Sequence, residues 1–317
     1  MKKNLSGTDA LRRRDLVRRR GREARLLLAR SMLTLIAAFF ALVFLLPTVL
    51  TFTNSLMSGT ELSSNYGMVF SNITASGSGK TFIAQDITLK FIPDMVTFQQ
   101  YLDSLFKTPE YLLKFWNSVI LVVPIVVFQL LVAAFASYGF ARWRGKLQAI
   151  IFFLYVILML MPYQVTLVPN YLVSDWLNIL DTRWAIWLPG IFSPFSVYIL
   201  TKYMRRIPSA YIEAAKLDGA NELQIFARVA LPLCQSALYS VAILVFIDYW
   251  NMVEQPLILL TEPDLQPLSV FLSQVNTGDV GLAFAVATIY MVPTLLMFLY
   301  GEDYLVEGIA YAGGIKG

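Results

Sequence analysis

The chain has 317 residues, 57% of them hydrophobic and only 15% charged, with a formal net charge of +4. A soluble globular protein carries about 25% charged residues, so this composition excludes an ordinary water-soluble domain. It also excludes intrinsic disorder, which requires low hydrophobicity and high charge.

The charge is unevenly spread. Residues 1–30 hold 11 Lys and Arg against the three acids Asp9, Asp15 and Glu23. A sequence pI of 9.0 would suit a nucleic-acid binder, but polar surface is scarce and the basic head runs directly into the apolar stretch 31–52. Positive-inside retention of a membrane helix explains the head better, and no nucleic-acid partner is expected. A secretory signal is disfavoured, because the apolar part reaches the ~20 residues of a spanning helix and no small-residue cleavage site follows.

Six apolar segments succeed one another, at roughly 31–53, 116–140, 148–170, 184–203, 236–258 and 281–301. Each approaches the ~20 residues that a ~30 Å hydrocarbon core requires. They lack the two-residue alternation of barrel strands, and only helices or closed barrels satisfy the backbone in lipid. The expected fold is an all-α membrane protein with six transmembrane helices. Counted on alternate sides, Lys and Arg number twenty against five, which places both termini in the cytoplasm. The expected organisation is a basic tail at 1–30, a first helix at 31–53 and an extracytoplasmic segment at 54–115. A core at 116–303 then contains a cytoplasmic loop at 204–235, and a cytoplasmic tail covers 304–317.

Within the external segment, Ser76-Gly77-Ser78-Gly79-Lys80-Thr81 resembles the end of a phosphate-binding loop. That loop needs a glycine where this chain has Thr74, so a flexible polar loop is the better reading. Asn72-Ile73-Thr74 matches a glycosylation acceptor, a pattern short enough to recur by chance. Pro162, Pro169, Pro189 and Pro194 crowd the third and fourth spans, and each is expected to kink or break its helix. Broken helices are tolerated where they line a cavity or pack against protein.

The loop at 204–235 is the most informative stretch. Pro208 is placed to start a helix, with Tyr211, Ile212, Ala215 and Leu217 as its apolar face. Gly219 is placed to end it as a left-handed cap. Asn221 then caps a second helix, with Gln224 three residues on as in a capping box, and Pro232 marks the step into the membrane. Two short helices at a glycine elbow form a rigid knob suited to receive force from a soluble partner. Ala214, Ala215 and Gly219 favour close approach by another protein over burial in headgroups.

Ionisable groups inside spans are functional candidates by default. The fifth segment carries Asp248 and Glu254, with Trp250 and Asn251 between them. Together with Gln164 in the third span, Asp248, Trp250 and Asn251 are candidates for a translocation pathway. Gln164, Gln129 and Asn117 are neutral, and neutral polar residues often just hold helices together; Asp248 has the alternative of capping a helix pair by hydrogen bonding to a neighbour. No histidine is present and Cys234 stands alone, so a zinc site, a histidine acid–base pair and an internal disulfide are all out of reach. No internal repeat is obvious, which weakens the case for a secondary carrier built from two similar halves.

The run Glu213-Ala214-Ala215, then Asp218-Gly219-Ala220 and Leu231-Pro232, resembles the EAA loop of binding-protein-dependent ABC importer membrane subunits. Asn117-Ser118, Tyr138-Gly139-Phe140-Ala141-Arg142, Asn178-Ile179-Leu180-Asp181-Thr182, Trp250-Asn251 and the tail Gly313-Gly314-Ile315-Lys316-Gly317 extend the likeness to MalG-like subunits of the carbohydrate-uptake class. The resemblance covers about residue 98 to the end and the first span. It implies a type I importer permease without catalytic residues, paired with a second, MalF-like permease subunit. Glu213, Ala214, Ala215, Asp218, Gly219, Ala220 and Asn221 would form the coupling segment that enters a cleft of a cytoplasmic ATPase dimer. ATP and Mg would be bound by those partners, with no cofactor or metal on this chain. An extracytoplasmic solute-binding protein would deliver a sugar, reaching the loop around residues 261–278, and Glu307, Gly308 and Lys316 would lie near the ATPases. The chain departs from the family pattern at Met252, where an acidic or similar residue usually follows the Trp-Asn pair, and in the length of its external segment 57–97.

Overall fold

The structure, a computed structural model, describes residues 5–62, 64–65, 90–107, 109–274 and 280–312. Among these residues all regular structure is helical. Four helices are long and apolar enough to cross a membrane: Leu28–Ser55, Pro109–Arg142, Trp184–Met204 and Gly281–Leu305. Two more candidates are bent pairs, Lys146–Leu160 with Tyr163–Trp176 at 100° and Glu222–Leu233 with Gln235–Trp250 at 76°. Counting each pair as one span brings the number up to six. The stretches 72–74 and 76–81, Gly278 and the tail 313–317 lie outside the described residues.

Helix α1 is Leu5–Ser55, so the basic head expected as a tail continues the first span as one helix. Helix α2, Pro109–Arg142, begins earlier than the expected 116, because Pro109 suits a first helical position, where its missing N–H costs nothing. Helices α3, Lys146–Leu160, and α4, Tyr163–Trp176, replace the continuous third span expected at 148–170. Pro162 drives the preceding residue out of the helical region, and Met161 accordingly sits at φ −69°, ψ 129°. By contrast, Pro169 lies inside α4 without ending it.

The fourth span is made of α5, Trp184–Ile191, and α6, Pro194–Met204. Ser193 caps α6 by accepting from the Ser196 amide, and Pro194 opens it, whereas Pro189 stays within α5. The knob consists of α7, Ser209–Leu217, and α8, Glu222–Ile225, which runs through a π-turn into Leu231–Leu233. Helix α9, Gln235–Trp250, ends short of the expected 258, and α10, Glu254–Leu259, follows as a separate turn. Pro256 lacks the N–H that a continued helix would need. Helix α11 is Leu268–Ser273 and α12 is Val280–Ala312.

Helix α2 is the centre of the bundle, packing on α5, α6 and α9, while α9 packs on α12 and α3 on α6. Leu121, Ile125, Ile186, Val197, Leu200 and Val241 form the heart of the core. A Cβ at Gly190 would meet Ile125 Cδ1 at 3.1 Å, so the glycine lets α5 approach α2 closely. Two buried polar contacts join α2 to α6: Gln129 Nε2 donates to Ser196 Oγ at 2.7 Å, and Ser137 Oγ donates to the Val197 carbonyl at 2.9 Å. Interhelical bonds of this kind contribute about 0.6 kcal/mol each in membrane bundles. Helix α1 meets the bundle near its end, where Ser55 Oγ lies 2.6 Å from the Tyr101 hydroxyl and Met57 and Leu62 pack on Phe284. The outer surface is apolar, with Phe39, Phe44, Phe128 and Phe153 all exposed, a surface that water does not tolerate over such an area.

Candidate functional site

The knob at 208–226 is built by local rules. Pro208 precedes α7 with φ −58°, ψ 134°. At the other end Gly219 takes φ +82°, its amide donates to the Lys216 carbonyl at 3.1 Å, and the Ala220 amide donates to the Ala215 carbonyl at 3.0 Å. This pair of bonds is a Schellman motif, which closes the carbonyls left open at a helix end. Asn221 then caps α8: its Oδ1 accepts from the Gln224 amide at 2.8 Å, and its own amide donates to Gln224 Oε1 at 2.9 Å. The elbow is thus fixed on both sides by hydrogen bonds.

Ile212, Ile225 and Phe226 seat the knob on the bundle, all three being buried. The Phe226 ring stacks on Phe135 with centroids 4.6 Å apart and lies 5.3 Å from Tyr138. Glu222 adds a polar clamp, accepting from the Tyr138 hydroxyl at 2.7 Å and pairing with Lys216 Nζ at 2.7 Å. The expected apolar face of α7 is corrected: Ile212 points inward, but Tyr211 is 57% and Leu217 89% exposed. Ile212 is the one buried residue of α7, so only a narrow side of the short helix is packed on the bundle. Glu213, Ala214, Asp218, Gly219 and Asn221 share the exposed surface, while Ala215 and Ala220 are partly covered.

At the opposite end of the bundle a cavity of about 620 Å³ opens between the start of α4 and the end of α9. Gln164, Asp248, Asn251 and Glu254 line it, and Gln164 Nε2 donates to Glu254 Oε2 at 3.3 Å. Asp248 has no hydrogen-bond or ion-pair partner among the described residues. Trp250 does not line the cavity. It is 1% exposed, stacked between Phe246 and Tyr290 with centroids 5.2 and 5.5 Å away, and its Nε1 donates to the Tyr290 carbonyl at 3.1 Å. The Tyr290 hydroxyl returns a bond to the Trp250 carbonyl at 2.5 Å. Trp250 therefore holds α9 against α12 behind the cavity wall.

The same end carries a network that sequence reasoning did not connect. Asn117 Nδ2 donates to the carbonyls of Asp264 and Gln266, and Asn117 Oδ1 accepts from Arg183 Nη2 at 3.1 Å. Ser118 Oγ accepts from the Leu268 amide at 2.9 Å. Asn178 and Asp181 both adopt positive φ, 54° and 57°, a conformation that Asn and Asp accept more readily than other non-glycine residues. Asp181 Oδ1 consequently receives the Thr261 amide and hydroxyl at 2.5 and 2.7 Å. The Thr261 hydroxyl chiefly, and the amides of Thr261 and Glu262 further, hold the Asp181 carboxyl below its ordinary pKa, against some opposing burial. Asn117-Ser118 and the 178–182 loop were legible as family-like motifs; their common task is to fix the loop at 260–268.

An apolar-surfaced bundle with a rigid knob at one end and, at the other, an open cavity that carries Gln164, Asp248, Asn251 and Glu254 is the build of a membrane transport component. The family model described as "Binding-protein-dependent transport system inner membrane component" matches residues 103–304, and the chain belongs to that family. It is 30% identical to the arabinooligosaccharides transport system permease protein AraQ of Halalkalibacterium halodurans, over 73% of this chain and 84% of that one. It is 34% identical to the osmoprotective compounds uptake permease protein GgtD of Synechocystis sp., over 64% of this chain and 70% of that one. Among solved structures it resembles a bacterial ABC transporter involved in the import of the acidic polysaccharide alginate, with a TM-score of 0.69 at 21% identity, covering 86% of this chain and 94% of that one. That last likeness is one of fold.

Proposed function

We propose that the chain is the non-catalytic permease subunit of an ATP-driven importer of sugars or oligosaccharides in a bacterial cytoplasmic membrane, forming half of the translocation pathway. The observation that carries this reading is the knob: a two-helix unit pinned at Gly219 and Asn221, seated through Ile212, Ile225 and Phe226, with Tyr211, Leu217 and Leu223 left exposed. A surface so rigid and so apolar at its tip suits docking of a cytoplasmic ATPase dimer, which would bind ATP and Mg. Glu213, Ala214, Ala215, Asp218, Gly219, Ala220 and Asn221 would form the coupling segment. A MalF-like second permease would complete the pathway, and an extracytoplasmic solute-binding protein would dock over the loop at 260–268.

Six spans with both termini in the cytoplasm are the topology that fits this role. Arg142, Arg144, Lys202, Arg205, Arg206 and Lys216 gather at the end of the bundle that carries the knob, as the positive-inside rule requires of a cytoplasmic face. Residues 116–303 would act as the permease core. Alternating access is a shift between two conformations biased by ligands that bind them unequally. Movement of the knob would be carried by Phe226 to α2 and by the bent joint at 231–235 to α9, whose far end bears Asp248 and Asn251. These two residues and Gln164 would line the path, with Trp250 bracing it.

The relative that takes up osmoprotective compounds supports a second reading, in which the solute is not a sugar. Uptake by the reconstituted complex tests both. Our reading expects accumulation of labelled arabinooligosaccharide or disaccharide that requires ATP and survives collapse of ion gradients. Dependence on a proton or sodium gradient without ATP would overturn the importer reading. ATP-dependent uptake of compatible solutes alone would select the second.

A further inference from the structure

Beneath the knob lies a second cavity of about 420 Å³, which shares no lining residue with the cavity at Gln164 and Asp248. It is walled by the turn between α2 and α3 and by the start of α7, and its lining includes Arg142, Arg144 and Arg205 but no carboxylate residue. The three guanidinium groups are poorly neutralised. Arg144 has no ion-pair or hydrogen-bond partner among the described residues. Arg142 lies against the Tyr138 hydroxyl and reaches Glu222 only at 3.9 Å, and that carboxylate is already engaged by Lys216 and Tyr138 at 2.7 Å each. Arg205 makes one long bond, 3.4 Å, to the Phe140 carbonyl and lays its guanidinium over the Phe152 ring. Each guanidinium has five N–H donors, so most of this donor set is unspent.

The neutral groups in the cavity suit the same ligand. Gln148 is 7% exposed and Ser209 offers a hydroxyl. Gly145 lines the wall and precedes α3, a helix of 15 residues with no side-chain cap, so its first amides add positive potential. Beside the mouth, Trp143 is 44% exposed, and Leu147, Ile150 and Leu154 continue outward along α3 as exposed apolar side chains.

We propose that this cavity binds a phosphate group through Arg142, Arg144 and Arg205, supplied by an anionic phospholipid whose acyl chains lie along α3. Arginine forks match phosphate oxygens geometrically, and an exposed Trp beside basic residues at the end of a span is a usual marker of a headgroup boundary. Ser209 and Ile212 belong to both the cavity and α7, so the bound phosphate stiffens the base of the knob. This site lies outside the solute path and needs only that the arginine-bearing end meets a membrane surface.

The test is native mass spectrometry of the intact transporter complex from nanodiscs of phosphatidylcholine and phosphatidylglycerol, with thermal melting in inorganic phosphate as a second arm. The wild type should retain phosphatidylglycerol over phosphatidylcholine by about tenfold, the equivalent of about one charge-assisted contact. Arg144→Gln should reduce that preference at least threefold, and Arg144→Gln with Arg205→Gln should abolish it. Lys202→Gln, which removes a charge at the same end but not from the cavity, should leave it unchanged. A rise in melting temperature with inorganic phosphate, lost in the double variant, would support the phosphate site but assign it a soluble source. Arg144→Gln disturbs no internal contact and so reads the site even if the double variant fails to fold. Equal retention of both lipids with no response to phosphate, or an Arg144→Gln complex indistinguishable from wild type in both arms, would overturn the proposal.

Discussion

At Gly219 a single backbone angle sets the elbow of the knob. A φ of +82° costs a branched residue about 1–2 kcal/mol, and a Cβ there would meet nothing within 4 Å, so any penalty is conformational rather than steric. Gly219→Val should lower transport and solute-stimulated ATP hydrolysis about tenfold or more while membrane insertion stays normal. Gly219→Asn, which tolerates the left-handed region, should retain most of both activities; equal failure of the two variants in an uptake assay would point to space at the partner surface instead. Asp181 makes a second prediction. A carboxyl whose pKa is lowered on folding adds stability above its unfolded value of about 3.9, and loses it as pH falls through the lower folded value. The clamp on Thr261 should therefore hold from neutral pH down to about 4 and open only below. Asp181→Asn should speed hydrogen exchange of the Thr261 amide on the order of fivefold at neutral pH; unchanged exchange would mean that Asp181 does not hold this loop. Gly219, Asn221 and Gln224 were readable in the sequence because caps obey local rules. Glu222 was not, since its partner Tyr138 is 84 residues away and no spacing rule reaches that far.

Among the elements, the interrupted helices separate what hydropathy can and cannot read. The apolar length of each span was evident, but hydropathy is blind to the 100° bend after Leu160 and to the end of α9 at Trp250. Proline alone did not discriminate either: Pro162 and Pro194 sit at helix boundaries, while Pro169 and Pro189 lie inside helices. The outcome depends on which carbonyl loses its donor and what packs nearby, and both are tertiary facts. Trp250 illustrates the same limit. Its place among polar neighbours suggested a pathway residue, yet the ring is enclosed by Phe246, Tyr290 and Phe115. Trp250→Ala should destabilise the α9–α12 pairing by about 3–5 kcal/mol and lower the melting temperature of the purified complex. Trp250→Phe should lose much less; an alanine variant that melts like the wild type would return Trp250 to the list of lining candidates.

Across the whole molecule, the two ends have different chemistry and are joined by few elements. The knob end gathers basic residues and seats a rigid, exposed helix pair; the other end carries an open cavity and a loop tied down by Asn117, Ser118 and Asp181. Helices α2 and α9 run the distance between them; the knob touches α2 through Phe226 and leads into α9 through the segment 231–235. In the proposed function, an ATPase acts on this chain through residues 208–226. The most direct measurement is mild-detergent purification of the tagged chain from its native membrane, with mass spectrometry of the proteins that accompany it, for the wild type and for Ala214→Glu. A second permease and an ATPase should accompany the wild type, and Ala214→Glu should lose the ATPase while keeping the second permease. A chain that purifies alone, or an ATPase retained equally by both, would contradict it.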